Sequence, residues 1–271
     1  MQRLFNIFII VILLVFTYTL PSYSFQKKCL TIAQITDLHL MPTKESIENY
    51  NMLIDSINKD NQIDFVVFTG DNIDKANVDL LEIFLKMTRK FDVPYYVQIG
   101  NHDCLKPLGL SKKKYIETLN KYSLFKYKTF NYIVKKGDFV FVFLDGSKEM
   151  LPSSNGYFKE DTLIWLDKTR TKYQNKNIII FQHYPMYKLS ENHNHNLYNP
   201  EPYQDLLKKH KNVKAVYAGH YHKLEEKYTD GILNVTAPPA KYESSEYMKI
   251  YIYKAKNKQY KIYNQVIQFK P

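Results

Sequence analysis

Five short clusters in this 271-residue chain hold the side chains best able to do chemistry: Asp37-Leu38-His39, Gly70-Asp71-Asn72, Gly100-Asn101-His102-Asp103, His183, and Gly219-His220-Tyr221-His222. They offer carboxylates, amides and imidazoles, with no cysteine as a donor. Such donors suit a hard or borderline cation such as Mn, Fe or Zn and give little reason to expect Ca or an iron–sulfur cluster. Each cluster alone has an ordinary explanation: Asp-x-His is a common spacing, and Gly-Asp after a strand is usually a turn. Gly-His-x-His is harder to assign to packing, because two imidazoles at spacing two after an apolar strand fill no core. In extended backbone, side chains alternate, so Asp37 and His39 should point to one side, as should His220 and His222, and each pair can chelate one site. Taken together, the five clusters predict a metal centre.

The elements that must position these clusters share one pattern. "LTIAQITDLH", "IDFVVFTGDN" and "PYYVQIGNHD" are apolar, β-rich runs followed at once by polar residues, and "NIIIFQHYP" and "VKAVYAGHYH" repeat the device. Between the first three, Ser46 to Lys59 and Asn77 to Phe91 carry apolar residues at helical spacing. The order predicts βαβαβ with parallel pairing, and right-handed crossovers put the three strand ends on one edge of the sheet, where open α/β sheets bind ligands. A third helix is expected over Ser111 to Tyr122, then a hairpin turning at Lys136-Gly137-Asp138, a helix in "DTLIWLDKTRTKY" and a helix over Glu201 to His210. The tail should hold at least three strands, "GILNVTAPP", "YMKIYIYKAK" and "YKIYNQVIQF", the last two as an antiparallel pair. No repeat or linker divides the chain, so one domain is expected whose two halves each contribute a sheet.

As an ordered set running from Asp37 to His222, these motifs resemble the signature of the calcineurin-like metallophosphoesterases. The resemblance implies an α/β (α+β) fold, a four-layer αββα sandwich with two central mixed β-sheets. It also implies two divalent or trivalent ions: Asp37, His39 and His222 binding the first, Asn101, His183 and His220 the second, and Asp71 bridging them. The implied activity is hydrolysis of a phosphate mono- or diester by a metal-bridging hydroxide attacking phosphorus in line. Gly100-Asn101-His102-Asp103 favours the branch of small phosphodiesterases. His102 sits beside Asn101 without being needed as a ligand, which makes it the candidate general acid. Asp103 would steady His102 or a ligand through a hydrogen bond. There is one departure: members acting on diesters often carry a second histidine directly before the position of His183, and here Gln182 stands there.

Composition bounds the rest. Hydrophobic residues make up 45% and charged residues 24%, as expected of a globular chain. Arg3 precedes an apolar run from Leu4 to about Leu20, Pro21 stops any helix, and Ser22 and Ser24 are small residues before Phe25. Residues 1–24 therefore read as a secretory signal peptide, or an N-terminal anchor through residues 4–20, ahead of a domain spanning 25–271. The expected location is extracytoplasmic, secreted or periplasmic. Cys29 and Cys104 fall too far apart in the strand pattern to pair. The net charge of +11 suits a small phosphorylated substrate and an anionic membrane surface. The lysines are scattered without forming a stripe, so nucleic acid is not the expected partner. A nuclease would share the metals but should add a nucleic-acid-binding element. A non-catalytic binding module on the same scaffold should have lost a ligand or the acid, and none is missing. His193 and His195, in the Asn-rich "ENHNHN", read as a loop bordering the pocket, His210 as a surface residue, and Asp145 as a strand-end turn.

Overall fold

Parallel strands β1 (Lys27–Ile35), β2 (Phe65–Thr69) and β3 (Tyr95–Gln98) sit side by side in the computed structural model, crossed over by α1 (Lys44–Lys59) and α2 (Val78–Thr88). The structure describes residues 27–151, 153–188, 195–209, 211–255 and 259–270. The expected signal or anchor over residues 1–24, His193 and His210 lie outside the described residues. Every residue of β2 is buried, as a central parallel strand covered on both faces requires. Thr43, Asn77 and the Ser111 that precedes α3 (Lys112–Tyr122) cap their helices by accepting a backbone N–H of the first turn.

The second sheet is formed by β4 (Tyr132–Lys136), β5 (Phe139–Leu144), β6 (Asn177–Gln182), β7 (Val213–Ala218), β8 (Glu225–Thr229) and β9 (Ile232–Thr236), in the order β4-β5-β6-β7-β9-β8. β5, β6, β7 and β9 are parallel, and β4 and β8 close the two edges antiparallel. Side-chain alternation sets the layers. Phe141, Phe143, Ile179 and Phe181 join the core beneath the first sheet, and Phe65 meets Phe141 with ring centroids 5.2 Å apart. The intervening Val140, Val142, Ile178 and Ile180 pack with Leu166 of α4 (Glu160–Lys172) and Leu207 of α5 (Glu201–Lys208). The result is the expected αββα sandwich of two mixed sheets.

One expectation needs correction. The sheets do not divide by halves of the chain, because β10 (Glu246–Lys254) returns to the first sheet and pairs antiparallel with β1, with β11 (Tyr260–Gln268) outside it. The tail also contains β8, whose "EEKYT" is almost wholly exposed and so carries no burial pattern. Among the described residues, Cys29 and Cys104 are both free, and no helix is long and apolar enough to cross a membrane.

Candidate metal centre

The five clusters leave β1, β2, β3, β6 and β7 at one edge, where backbone hydrogen bonds tie the loops together. Asp37 N donates to Gly70 O at 3.0 Å, His39 N to Asp71 O at 2.9 Å, and Gly219 N to His183 O at 3.0 Å. The local conformation is not the extended one that alternation assumed. β1 ends at Ile35 and β7 at Ala218, and Asp37, His39, Asp71, His220 and His222 all adopt positive φ, between 43° and 73°. Each left-handed non-glycine residue costs roughly 1–2 kcal/mol, and such strain gathers where side chains are aimed for function. Close approach of backbone also explains two glycines. A Cβ on Gly100 would lie 2.1 Å from Asp71 Oδ1, and one on Gly219 would lie 1.8 Å from Thr36 Oγ1.

All seven predicted ligands converge. Asp37, His39 and His222 form one group of donor atoms within 4.8 Å of one another, and Asp71, His183 and His220 form another. In the first, His222 Nε2 stands 3.3 Å from Asp37 Oδ1 and 3.3 Å from His39 Nε2. In the second, His183 Nε2 stands 3.0 Å from His220 Nδ1 and 3.3 Å from Asn101 Oδ1. Asp71 lies between them, its Oδ2 at 3.7 Å from His39 Nε2 and 3.2 Å from His183 Nε2. His39, Asp71 and His102 make a third such group, so His102 is within reach of the same cations.

The residues fit metal ions on their own chemistry. Asp37 and Asp71 are buried, and among the described residues their ion-pair partners are histidines, with no Lys or Arg. Buried carboxylates of this kind need positive charge from protonated imidazoles or from a cation. His183 Nδ1 lies 3.0 Å from Thr69 O, which can only accept, so Nδ1 carries the proton and Nε2 is left to coordinate. His220 Nε2 is buried and has no hydrogen-bond partner among the described residues. Burial opposes charge on Asp71, but the neighbouring imidazoles, His183 first, outweigh it and hold its carboxyl well below the usual carboxylate range. Burial alone would depress His183; the Asp71 carboxylate overrides it and raises the imidazole to about 9. His220 is pushed down to about 3 by burial and by the charge on His183.

Among the side chains around these residues, Asp103 sits differently from expectation. Asp103 does not orient His102. It is fully buried and accepts from Gly100 N at 2.8 Å, Asn72 N at 2.9 Å and Ile73 N at 3.2 Å, pinning the loop after β2 to the loop after β3. Burial and the Asp71 charge raise Asp103 to about 7 despite those bonds. His102 is oriented instead by Asp74, whose carbonyl oxygen lies 2.6 Å from His102 Nδ1, and its ring sits edge-on to His39 with centroids 4.6 Å apart. Gln182 turns into the core, donating to Tyr184 O at 2.5 Å and accepting from Tyr203 OH at 2.7 Å. Asp145 pairs with Lys112 at 2.5 Å, apart from the ligand groups. His195, assigned to a bordering loop, is brought against His220 with ring centroids 5.3 Å apart.

The profile of the calcineurin-like phosphoesterases matches residues 30–224, which take in every cluster described above. The chain belongs to the calcineurin-like phosphoesterase family. It is therefore a metal-dependent phosphoric ester hydrolase, of a family that binds a dinuclear metal centre. This phosphoesterase is 28% identical over 219 residues to the probable glycerophosphodiester phosphodiesterase GpdQ of Arcobacter nitrofigilis, covering 76% of this chain and 77% of the relative. It is 26% identical over 202 residues to a probable cyclic nucleotide phosphodiesterase of Moraxella catarrhalis, covering 71% of each. A dimetal phosphatase from Danio rerio shares the fold with a TM-score of 0.66, over 90% of this chain and all of that one, at 16% identity.

Proposed function

We propose that this phosphoesterase hydrolyses a small phosphodiester, of the glycerophosphodiester or cyclic nucleotide kind named for its relatives, with His102 as general acid. The observation that carries the reading is Asp71, set between two groups of nitrogen and oxygen donors so that one carboxylate can serve both. Asp37, His39 and His222 would hold one ion and Asn101, His183 and His220 the other, with Mn, Fe or Zn suited to these donors. When bound, the two ions supply Lewis-acid stabilisation of the phosphoryl oxygens and a nucleophile at neutral pH. The protein supplies position and a proton. With Nδ1 of His102 committed to the Asp74 carbonyl, Nε2 is the nitrogen able to carry a proton to the leaving oxygen. Asp103, by fastening the loops of Asp71 and Asn101 to each other, holds the ligands in register.

Export belongs to the same proposal: residues 1–24 act as a cleaved signal or residues 4–20 as an anchor, and the substrate is then extracytoplasmic. Mass spectrometry of the mature N-terminus tests this, and a mature chain that retains Met1 in a soluble cytoplasmic fraction overturns it. The catalytic reading is tested by steady-state assay of the purified protein, loaded with Mn, Fe or Zn, on bis-nitrophenyl and mono-nitrophenyl phosphate. The expected result is hydrolysis of both, with the diester preferred in kcat/KM. Two ions bound per chain with neither ester hydrolysed would defeat the enzymatic reading.

A further inference from the structure

We propose that His195 is a further substrate-binding residue of this phosphoesterase, donating a hydrogen bond to a phosphoryl oxygen of the ester held beside His220. The inference rests on the phosphoesterase reading of the metal centre. Its starting point is position: the exposed His195 ring is tilted 38° to that of the buried His220, with centroids 5.3 Å apart. His183, Tyr184 and Tyr221 also pack around His220. Yet His195 takes part in none of the three donor groups found among the described residues. It thus stands on the rim beside the second donor set, an imidazole that none of these groups includes.

The backbone carrying His195 is held on two sides. Gly156 N donates to Asn196 O at 3.0 Å and Tyr198 N to Gly156 O at 2.7 Å, a short parallel bridge to the loop after β5. Asn196 N donates to Asn155 Oδ1 at 3.0 Å, and the hydroxyl of Tyr221, which lies between His220 and His222 in sequence, donates to Asn196 Oδ1. His195 itself adopts φ 68°, a left-handed conformation unfavourable for a residue with a Cβ. An exposed side chain fixed this way adds little packing, so stability does not account for its placement. Its chemistry does. An imidazole carries at least one N–H in either protonation state, and a phosphoryl oxygen is a strong acceptor, so the contact does not depend on titration of His195.

The test compares the metal-loaded wild type with His195→Ala, His195→Gln and Tyr221→Phe, measuring metal content, melting temperature, kcat and KM on bis-nitrophenyl phosphate, and inorganic phosphate affinity by calorimetry. A charge-assisted hydrogen bond lost from the bound state corresponds to about a tenfold change. Expected for His195→Ala is therefore roughly tenfold weaker phosphate binding and a KM raised by about the same factor, with kcat within about threefold and two ions retained. His195→Gln keeps an N–H donor and should fall between. Tyr221→Phe loosens the loop and should raise KM in the same direction by less, while adding nothing on top of His195→Ala. Unchanged phosphate affinity and KM in His195→Ala overturns the assignment, as does a KM rise that simply follows metal loss. If the wild type binds phosphate but hydrolyses no ester, the phosphodiesterase reading fails and the phosphate titrations still decide the role of His195.

Discussion

A carbonyl oxygen 2.6 Å from Nδ1 determines which nitrogen of His102 can give up a proton. Glutamine at this position can keep a hydrogen bond but cannot protonate a leaving oxygen. His102→Gln should therefore retain near-full metal content by elemental analysis and lose about a hundredfold or more in kcat on an alkyl diester, with a much smaller loss on a nitrophenyl ester, whose leaving group needs no proton. A large, equal loss on both substrates would instead indicate that His102 serves as a ligand, the role left open by its grouping with His39 and Asp71. At this scale the residues that gather at the strand ends were readable, because imidazoles and carboxylates placed there have few other uses. The means of bringing them together was not. Asp37 and His39 meet their partners through left-handed turns, which spacing alone does not encode, and Asp103 holds backbone amides that no side-chain motif would reveal. Gln182 is the reverse case: a departure from the family pattern that turns out to be a core residue bonded to Tyr203.

Among the elements, the parallel βαβαβ unit was legible because apolar runs and helical spacing alternate along it, whereas the return of β10 to β1 was not. Alternation in β10 says that one face is buried but not which strand lies alongside. The structure supplies a tie that fixes this return: Lys249 on β10 pairs with Asp60, the residue closing α1, which also accepts from Gln62 N at 3.0 Å. Burial raises the Asp60 pKa, but the Lys249 hydrogen bond outweighs it, and the carboxyl lies below its usual value. For an acid whose folded pKa is depressed, the stabilisation is present in full above the unfolded pKa and fades as pH falls through the folded one. Asp60→Asn should thus cost about 1–2 kcal/mol at pH 7, since Lys249 is left mostly buried without its anion, and less below pH 3. Denaturant unfolding of both proteins at the two pH values measures it. A difference that persists unchanged in acid would mean that packing, not charge, joins α1 to the hairpin.

For the molecule as a whole, the candidate ligand set is divided between the two sheets. Asp37, His39, Asp71 and Asn101 follow strands of the first, and His183, His220 and His222 follow strands of the second. Each predicted ion would take ligands from both, so the ions should cross-link the layers at one edge as well as serve the reaction. Ions that bind only the folded chain stabilise it by mass action, about 2.7 kcal/mol at a hundredfold excess over Kd. Two such sites double this, so for a domain of this size chelation should lower the melting temperature by roughly 10 to 20 °C. Asp71→Asn removes the carboxylate shared by both sites, so its melting temperature should differ by only about 2 °C with and without chelator. Asp145→Asn supplies the control. It breaks the pair with Lys112 away from the donor groups, and should lower both melting temperatures while preserving the gap between them. Release of the ions by chelator with no change in the wild-type melting temperature would mean that the sheets hold together through their apolar interface alone, around contacts such as Phe65 to Phe141.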